Sequence, residues 1–499
     1  MKQKNLVVSV PRLEPHRPPI SVAIVAHAIE LSGFDVSAVD LNIKFFHYIN
    51  NREKYYSLDD VWDSIRPLTL HEFKLIVKFL KQEQERFVGL DNLFISVFGS
   101  SAYKFTEILC KFVKKYYPDV KIILGGAGVL TTSVITESKN FGAHMRDIGL
   151  VDDFIAGEGE VAVVEYLSKN YKYPGINSSL PKQVNDLDNL PFPHYKYFDL
   201  SEYESPYDDN SHEVFVEGSR GCVRKCTYCD VARYWPKYRY RSGQNIADEL
   251  IFHYETKGVN KFYFTDSLVN GSLKSFRDMC DKLAVYNETH NAGFSWGGQM
   301  IWRPQHQEPP EHFEMIRRAG GNTFYVGVET GSDKIRWEMD KKFSNKDIDY
   351  ALEQFQKNNL KVVFLMLLGY VTETKADHQE TMNMFKRWQK YVATGTIVGI
   401  ELGQPLTFLK GTPLEEMIES HGVRFYDNPA SSIYRKNTNL WESSANPELT
   451  IPERISRRVE THLEAVKYNW PIWRSSQRLE SIKILAQQYR DANIENQRR

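Results

Sequence analysis

Short apolar runs alternate with stretches of helical periodicity twice along this chain, and that alternation restricts it to parallel sheets flanked by helices. In the first third, residues 6–10, 34–41, 93–98, 120–124 and 153–156 read as strands. Residues 20–32, 103–117 and 161–167 read as helices between them, the first stopped by Gly33. A polar, helix-prone insertion covers residues 57–87, with Leu58, Val61, Trp62 and Ile65 near one face. Two strands run into glycine-rich turns, Gly125-Gly126-Ala127-Gly128 and Gly157-Glu158-Gly159-Glu160. Parallel sheets bind ligands at the carboxyl ends of their strands, where both turns fall. Plain turn chemistry explains such glycines equally well.

Residues 171–210 break the pattern. Pro174, Pro181, Pro191, Pro193 and Pro206 punctuate polar sequence, as in an interdomain linker. Alternation then resumes, with strands expected at 214–216, 261–265, 293–297, 323–328, 361–368 and 396–402. Helices are expected at 246–256, 273–286, 311–318, 345–357 and 376–390. Six strand–helix units suggest a partial (β/α) barrel with its function at the strands' carboxyl ends. Beyond Gly411 the chain reads as mostly helical, especially over 451–468 and 478–492. The organisation expected is therefore a first sheet domain over 1–172, a linker over 173–210, a barrel over 211–410 and a helical region over 411–499. No internal repeat is evident.

Composition narrows the function classes. The 499 residues carry 63 Lys+Arg against 64 Asp+Glu, so no global field draws the chain to nucleic acid or anionic lipid. The longest apolar run, residues 362–368, is far short of the roughly 18 residues a membrane span needs. The start of the chain carries no signal-peptide pattern, so a cytoplasmic protein is expected.

Of five cysteines, three fall within eight residues: Gly221-Cys222-Val223-Arg224-Lys225-Cys226-Thr227-Tyr228-Cys229. Thiolates are the soft ligands that zinc and iron–sulfur clusters favour. Structural zinc usually takes four protein ligands, and the nearest imidazoles, His212 and His253, lie outside the loop. Three thiolates suit a 4Fe–4S cube with one iron open to a substrate or cosubstrate. Arg220, Arg224 and Lys225 add positive charge that favours thiolates. A colourless, zinc-stapled binding protein is the non-catalytic alternative.

This loop, with Tyr228 before its third cysteine, resembles the signature of the radical S-adenosylmethionine (SAM) superfamily. The resemblance continues through residues 262–267, Gly327-Val328-Glu329-Thr330-Gly331-Ser332, Met339-Asp340-Lys341, the 369–374 turn and Leu409-Lys410-Gly411-Thr412-Pro413-Leu414. Ahead of the barrel, Pro18-Pro19-Ile20, Asp40-Leu41-Asn42, Leu124-Gly125-Gly126, residues 156–160 and Leu190-Pro191-Phe192-Pro193 are similar to the subgroup with an N-terminal cobalamin-binding domain. The implied fold is α/β: a Rossmann-like parallel sheet domain, a radical SAM partial (β/α)6 barrel and a mostly helical C-terminal region.

The resemblance implies that Cys222, Cys226 and Cys229 ligate three irons while SAM chelates the fourth. It places Tyr228 near adenine and Glu329 at the methionine or ribose part of SAM, with Asp266 similarly placed after an earlier strand. An internal ion pair for Glu329, a helix N-cap for Asp266 and simple packing for Tyr228 stand beside those roles. Gly125, Gly126, Gly128, Gly157 and Glu158 are the residues expected against cobalamin. No Asp-x-His-x-x-Gly segment supplies a cobalt-ligating histidine; Asp40-Leu41-Asn42-Ile43-Lys44-Phe45 stands in its place.

The implied activity is reductive SAM cleavage to methionine and a 5′-deoxyadenosyl radical, which abstracts hydrogen, in a cobalamin-dependent methyltransferase. Cyclisation, oxidation or rearrangement is the second outcome such enzymes reach. A small-molecule or natural-product substrate and a flavodoxin or ferredoxin donor are the partners expected, with no membrane. RNA modification is a third reading. It rests on Arg220, Arg224, Lys225, Arg233, Lys237, Arg239 and Arg241 interleaved with Tyr228, Tyr234, Trp235, Tyr238 and Tyr240. A structural loop flanking the cluster explains that run better. Trp441, Tyr468, Trp470 and Trp473 either cap the barrel mouth or pack as a helix layer.

Overall fold

The computed structural model describes residues 3–62, 66–130, 140–205, 210–403, 406–426 and 439–473, with 483, 486, 487 and 490 beyond them. The chain divides into two compact units, the division falling after Val216.

The first unit is built on five strands: β1 (Lys4–Ser9), β2 (Asp35–Asp40), β3 (Asn92–Ser96), β4 (Lys121–Gly125) and β5 (Asp153–Phe154). All neighbours are parallel, in the order β2-β1-β3-β4-β5. The order reverses between β1 and β3, which makes their carboxyl ends the topological switch point where open α/β sheets take ligands. The expected helices form as Ile20–Leu31, Tyr103–Tyr116 and Gly159–Leu167. The insertion folds as Asp59–Trp62 and Leu70–Gln82, the latter started by a Thr69/Glu72 capping box. Leu58, Val61 and Trp62 are buried as their spacing predicts, while Ile65 lies outside the described residues. Phe45 meets Phe79 and Phe105 edge to face, its ring 5.1 and 5.6 Å from theirs.

Asp40-Leu41-Asn42 is not a loop. Asp40 ends β2 and its buried carboxylate caps helix Leu41–Ile49 at the backbone N–H groups of Asn42 and Ile43. Ser9 and Tyr203 hydroxyls donate to the same carboxylate. Helix capping and these buried hydrogen bonds, with those of the Asn42 side chain to Leu13 and Tyr55, hold the segment.

The strand β6 (Glu213–Val216), at the division, is the edge of a second sheet. Its other members are β9 (Lys261–Phe264), β10 (Ser295–Gln299), β11 (Gly321–Glu329), β12 (Lys361–Met366) and β13 (Ile397–Glu401), in simple sequential order. Pairings from β9 to β13 are parallel. The sheet does not close on itself, in keeping with a partial barrel. Two short strands, β7 (Ser219–Arg220) and β8 (Arg239–Tyr240), pair antiparallel, so that the cysteine loop leaves and returns through one ribbon.

In the C-terminal region, β14 (Val423–Phe425) and β15 (Trp441–Ser443) pair antiparallel. Helix Ile451–Lys467 packs on helix Lys375–Ala393. Trp441 and Trp470 are core residues, each donating its indole N–H to a backbone carbonyl, of Leu406 and Phe385 respectively. Trp473 packs on Gly399 of β13. These three tryptophans thus belong to the packing layer. The expected helix at 478–492 lies outside the described residues apart from isolated positions.

One buried ion pair joins the C-terminal helix to the turn after β12. Arg457 Nη1 lies 2.8 Å from Glu373 Oε1, with both side chains almost wholly excluded from solvent. Removing one partner of such a pair leaves an uncompensated buried charge. Arg457→Met is expected to destabilise the second unit by about 3–5 kcal/mol, read as a lowered thermal unfolding midpoint.

Candidate active site

Cys222, Cys226 and Cys229 sit in the excursion between β7 and β8. Gly221 opens it at φ +88°, where an added Cβ would meet Lys237 O at 3.0 Å. The base of the loop is held from β9. The Asp266 carboxylate, two residues beyond that strand, accepts Gly218 N–H at 2.8 Å and the Ser219 hydroxyl at 2.6 Å. Asp266 therefore anchors the strand-to-loop junction. It caps no helix, because the next one starts at Leu273 with Ser272 as its cap. The middle of the loop is held at Thr227, whose N–H donates to Met339 O and whose carbonyl accepts from Leu414 N. Its hydroxyl lies 2.7 Å from the Tyr370 hydroxyl.

The three thiols are partly buried and feel one another's charge. Burial raises all three, Cys229 to about 12. Opposing that at Cys222 are the Arg224 N–H, 3.4 Å from its sulfur, and the charges of Lys341, Arg224 and Arg303. Among the described residues no three His, Cys, Asp or Glu side chains converge as a single-ion site. His253 is instead buried beside Glu249, 3.7 Å away on its own helix.

Beside the thiols lies a buried polar trio. Tyr228 donates its hydroxyl to Glu329 Oε1 at 2.7 Å, and Lys341 Nζ reaches the same oxygen at 2.8 Å. Burial and the Glu329 charge drive the Tyr228 pKa far up. Burial works against the charge on Lys341, but attraction to Glu329 and Cys226 outweighs it and its pKa rises. Glu329 ends β11 at φ +66°, a conformation rare for non-glycine residues and held here by its neighbours. Its carbonyl accepts from Leu367 N at 3.0 Å, next to a register shift between β11 and β12. Gly327 makes room for the pair: a Cβ there would lie 2.3 Å from Glu329 Oε1 and 2.6 Å from Lys341 Nζ.

The structure thus brings Cys222, Cys226, Cys229, Tyr228 and Glu329 together, with Asp266 beneath the loop. Lys341 is the member that local patterning did not reveal. It follows helix Asp333–Glu338 through Asp340 and Lys342, both at positive φ, and no periodicity encodes that bend. The basic run resolves as loop structure: Arg220, Arg239 and Arg241 are buried. Arg220 pairs with Glu217 at 2.7 Å, and Arg241 pairs with Glu249. An exposed phosphate-binding stripe would not have that character.

The glycines of the first unit divide in two. Gly126, at φ +94°, faces Val97 O, 2.4 Å from where a Cβ would stand, and Gly128 is pressed on the same residue. Gly157, at φ +100°, gives way to Lys182 O at 2.3 Å. Glu158 binds that segment too, through its N–H to Lys182 O and its carboxylate to Val184 N. Packing accounts for all four. Gly125, ending β4, and Gly99, beyond β3, have nothing within 4 Å of an added Cβ. They border the carboxyl ends of the central strands, where a ligand could approach the backbone.

Two measurements follow from this geometry. Gly126→Ala is expected to lower the thermal midpoint, by a strain of about 1–3 kcal/mol, while Gly125→Ala leaves it unchanged. Burial raises Asp266 from 3.8 to about 7. Between those values the folded state holds a proton that the unfolded state has released, so this group's stabilisation is lost as pH rises. The wild-type midpoint, compared with that of Asp266→Asn, should decline progressively from pH 4 to pH 7. A pH-independent difference would contradict the assignment.

Residues 216–385 match the family model described as the radical SAM superfamily. A cytidylyl-2-hydroxyethylphosphonate methyltransferase of Streptomyces wedmorensis is 23% identical over 372 residues, covering 65% of this chain and 63% of the relative. An anaerobic magnesium-protoporphyrin IX monomethyl ester cyclase of Synechocystis sp. is 23% identical over 291 residues, covering 55% of this chain and 54% of the relative. The chain thus spans less than two thirds of either relative's length. Among solved structures, the radical SAM methyltransferase TsrM from Kitasatospora setae, with cobalamin and a 4Fe–4S cluster bound, aligns at a TM-score of 0.64. The identity is 14%, with 99% of this chain and 100% of that one covered. The cobalamin-dependent SAM radical enzyme OxsB, with aqua-cobalamin bound, also aligns at 0.64 and 14% identity, covering 92% of this chain and 66% of that one. At such identities the likeness to these structures is one of fold. Residues 216–385 thus carry a radical SAM domain, with the cysteine loop at the carboxyl edge of its sequentially ordered parallel sheet.

Proposed function

We propose that this chain is a cobalamin-dependent radical SAM methyltransferase acting on an unactivated carbon of a small molecule. The observation that carries the reading is the side-by-side placement of three loop thiols and the Tyr228–Glu329–Lys341 trio, all at one sheet edge. A donor set of three thiols, with no fourth ligand among the described residues, fits an iron–sulfur cluster with one open iron better than structural zinc. Cys222, Cys226 and Cys229 would hold the cluster. Tyr228 and Glu329 would present a hydroxyl and a carboxylate to SAM, with Lys341 holding that carboxylate in place. Open space at Gly99 and Gly125, at the carboxyl ends of β3 and β4 in the first sheet, fits a bulky ligand such as cobalamin. When bound, these groups supply one-electron cleavage of SAM and a methyl carrier. The protein positions them and excludes water around a buried site.

The names of the relatives agree with methyl transfer, since both the Streptomyces protein and TsrM are methyltransferases. Tryptophan is a small-molecule substrate of TsrM. A radical reaction without methyl transfer is the second reading, favoured by the anaerobic cyclase relative. An electron donor of the flavodoxin or ferredoxin class would serve either. No described helix is long and apolar enough to cross a membrane.

Anaerobic reconstitution tests the reading. About four irons and four sulfides per chain, bound corrinoid and 5′-deoxyadenosine on reduction with SAM are expected. Cys226→Ala should lose iron and cleavage together, and Glu329→Gln should weaken SAM binding about tenfold with iron retained. Cleavage without corrinoid would move the assignment to the second reading. Stoichiometric zinc without cleavage would overturn both.

A further inference from the structure

Helix Ile451–Lys467 carries Arg454, Arg457 and Arg458 into the protein interior. The three are not equivalent. Arg457 is neutralised by Glu373 and Glu453. Arg454 lies over the Trp441 ring at 3.9 Å and donates to the carbonyls of Asn439 and Trp441. Arg458, only 4% exposed, makes one hydrogen bond, from Nη2 to Gly403 O at 3.0 Å. Its Nε and Nη1 are buried without a partner, and no other guanidinium among the described residues leaves two nitrogens so. One turn further along the same face, His462 leaves Nδ1 buried and unpartnered. Burial lowers Arg458 to about 10 and Arg454 to about 9. Two buried guanidiniums therefore stand together: Arg454 feels the charge of Glu442, while Arg458 has no carboxylate acting on it, an arrangement that native interiors rarely keep without an anion.

Their place in the fold says which anion. Gly403 lies just beyond β13, and a Cβ added at Gly369, just beyond β12, would meet the Arg454 side chain at 3.1 Å. Tyr370, next to Gly369, touches Thr227 inside the cysteine loop. The unpaired cation is thus at the carboxyl edge of the sheet that carries the thiols and Glu329. We propose that Arg458 recognises an oxyanion of the substrate, a carboxylate or a phosphate, and fixes that end of the molecule at the mouth of the sheet. Arg454 adds charge and His462 a further polar contact. This deepens the proposed function, on which it rests for treating that edge as the reaction site.

Thermal unfolding of the full chain, before and after reconstitution, tests it without requiring radical chemistry. Inorganic phosphate and acetate are titrated against chloride at equal ionic strength. The wild type is expected to gain a saturable rise in midpoint. Arg458→Met should raise the midpoint in chloride, because an unpaired buried charge is removed, and should lose the oxyanion response at least tenfold. Arg458→Lys should keep a weakened response. Arg457→Met, which breaks a satisfied pair, should move the midpoint the opposite way. The proposal is overturned if the wild type shows no oxyanion response, or if Arg458→Met lowers the midpoint while leaving the response intact. It is also overturned if SAM binding, titrated in parallel, falls tenfold in Arg458→Met with the phosphate and acetate responses unchanged, since the cation would then serve the cosubstrate's carboxylate.

Discussion

A single carboxylate, Asp266, ties the chemistry of the second unit to its scaffold. It leaves β9 and takes two hydrogen bonds from the start of the cysteine excursion, at Gly218 and Ser219. The β7–β8 ribbon then closes the excursion, so that eighteen residues project from a base two residues wide on each side. Without that base the thiols would sit on a free loop, and loops alone rarely hold a multi-ligand site to the needed precision. Burial is what makes the anchor expensive to ionise, and the accepted hydrogen bonds are what make it tolerable.

The same edge accumulates buried charge of both signs. Glu329 is met by Lys341 and Tyr228, Glu373 by Arg457, and Arg241 by Glu249. In each, a buried charge is met by its opposite. Against that background Arg458 stands out because its counter-charge is missing, which is the physical basis for assigning it to a ligand. The C-terminal helix is strapped to the 369–374 turn through Arg457 and through Asn446, which donates to the carbonyls of Val371 and Glu373. That strapping delivers Arg458 to the strand ends.

Much of this was legible in the sequence for a simple reason: parallel strands and their helices are written in local periodicity. Helix Asn345–Lys357 and strand β6 follow their predicted spans closely. The three cysteines were legible through spacing, and Glu329 and Tyr228 through resemblance. What sequence withheld are contacts between residues far apart in the chain. Lys341 reaches Glu329 only through a bend at two positive-φ residues, and Asp266 faces a loop 47 residues upstream rather than the helix it precedes. Gly126 and Gly157 resembled ligand-facing glycines, yet each yields to a backbone oxygen of a distant segment. Helix Leu41–Ile49 was hidden because its cap, Asp40, is also the last residue of a strand.

The central claim is that the three thiols hold a cluster with one iron open to SAM. Electron paramagnetic resonance of the anaerobically reconstituted, reduced protein tests it most directly. Addition of SAM should change the spectrum of the reduced 4Fe–4S cluster in the wild type, and Cys226→Ala should lack the cluster signal altogether. A cluster signal indifferent to SAM, or a protein that takes up zinc and gives no signal, would contradict the account.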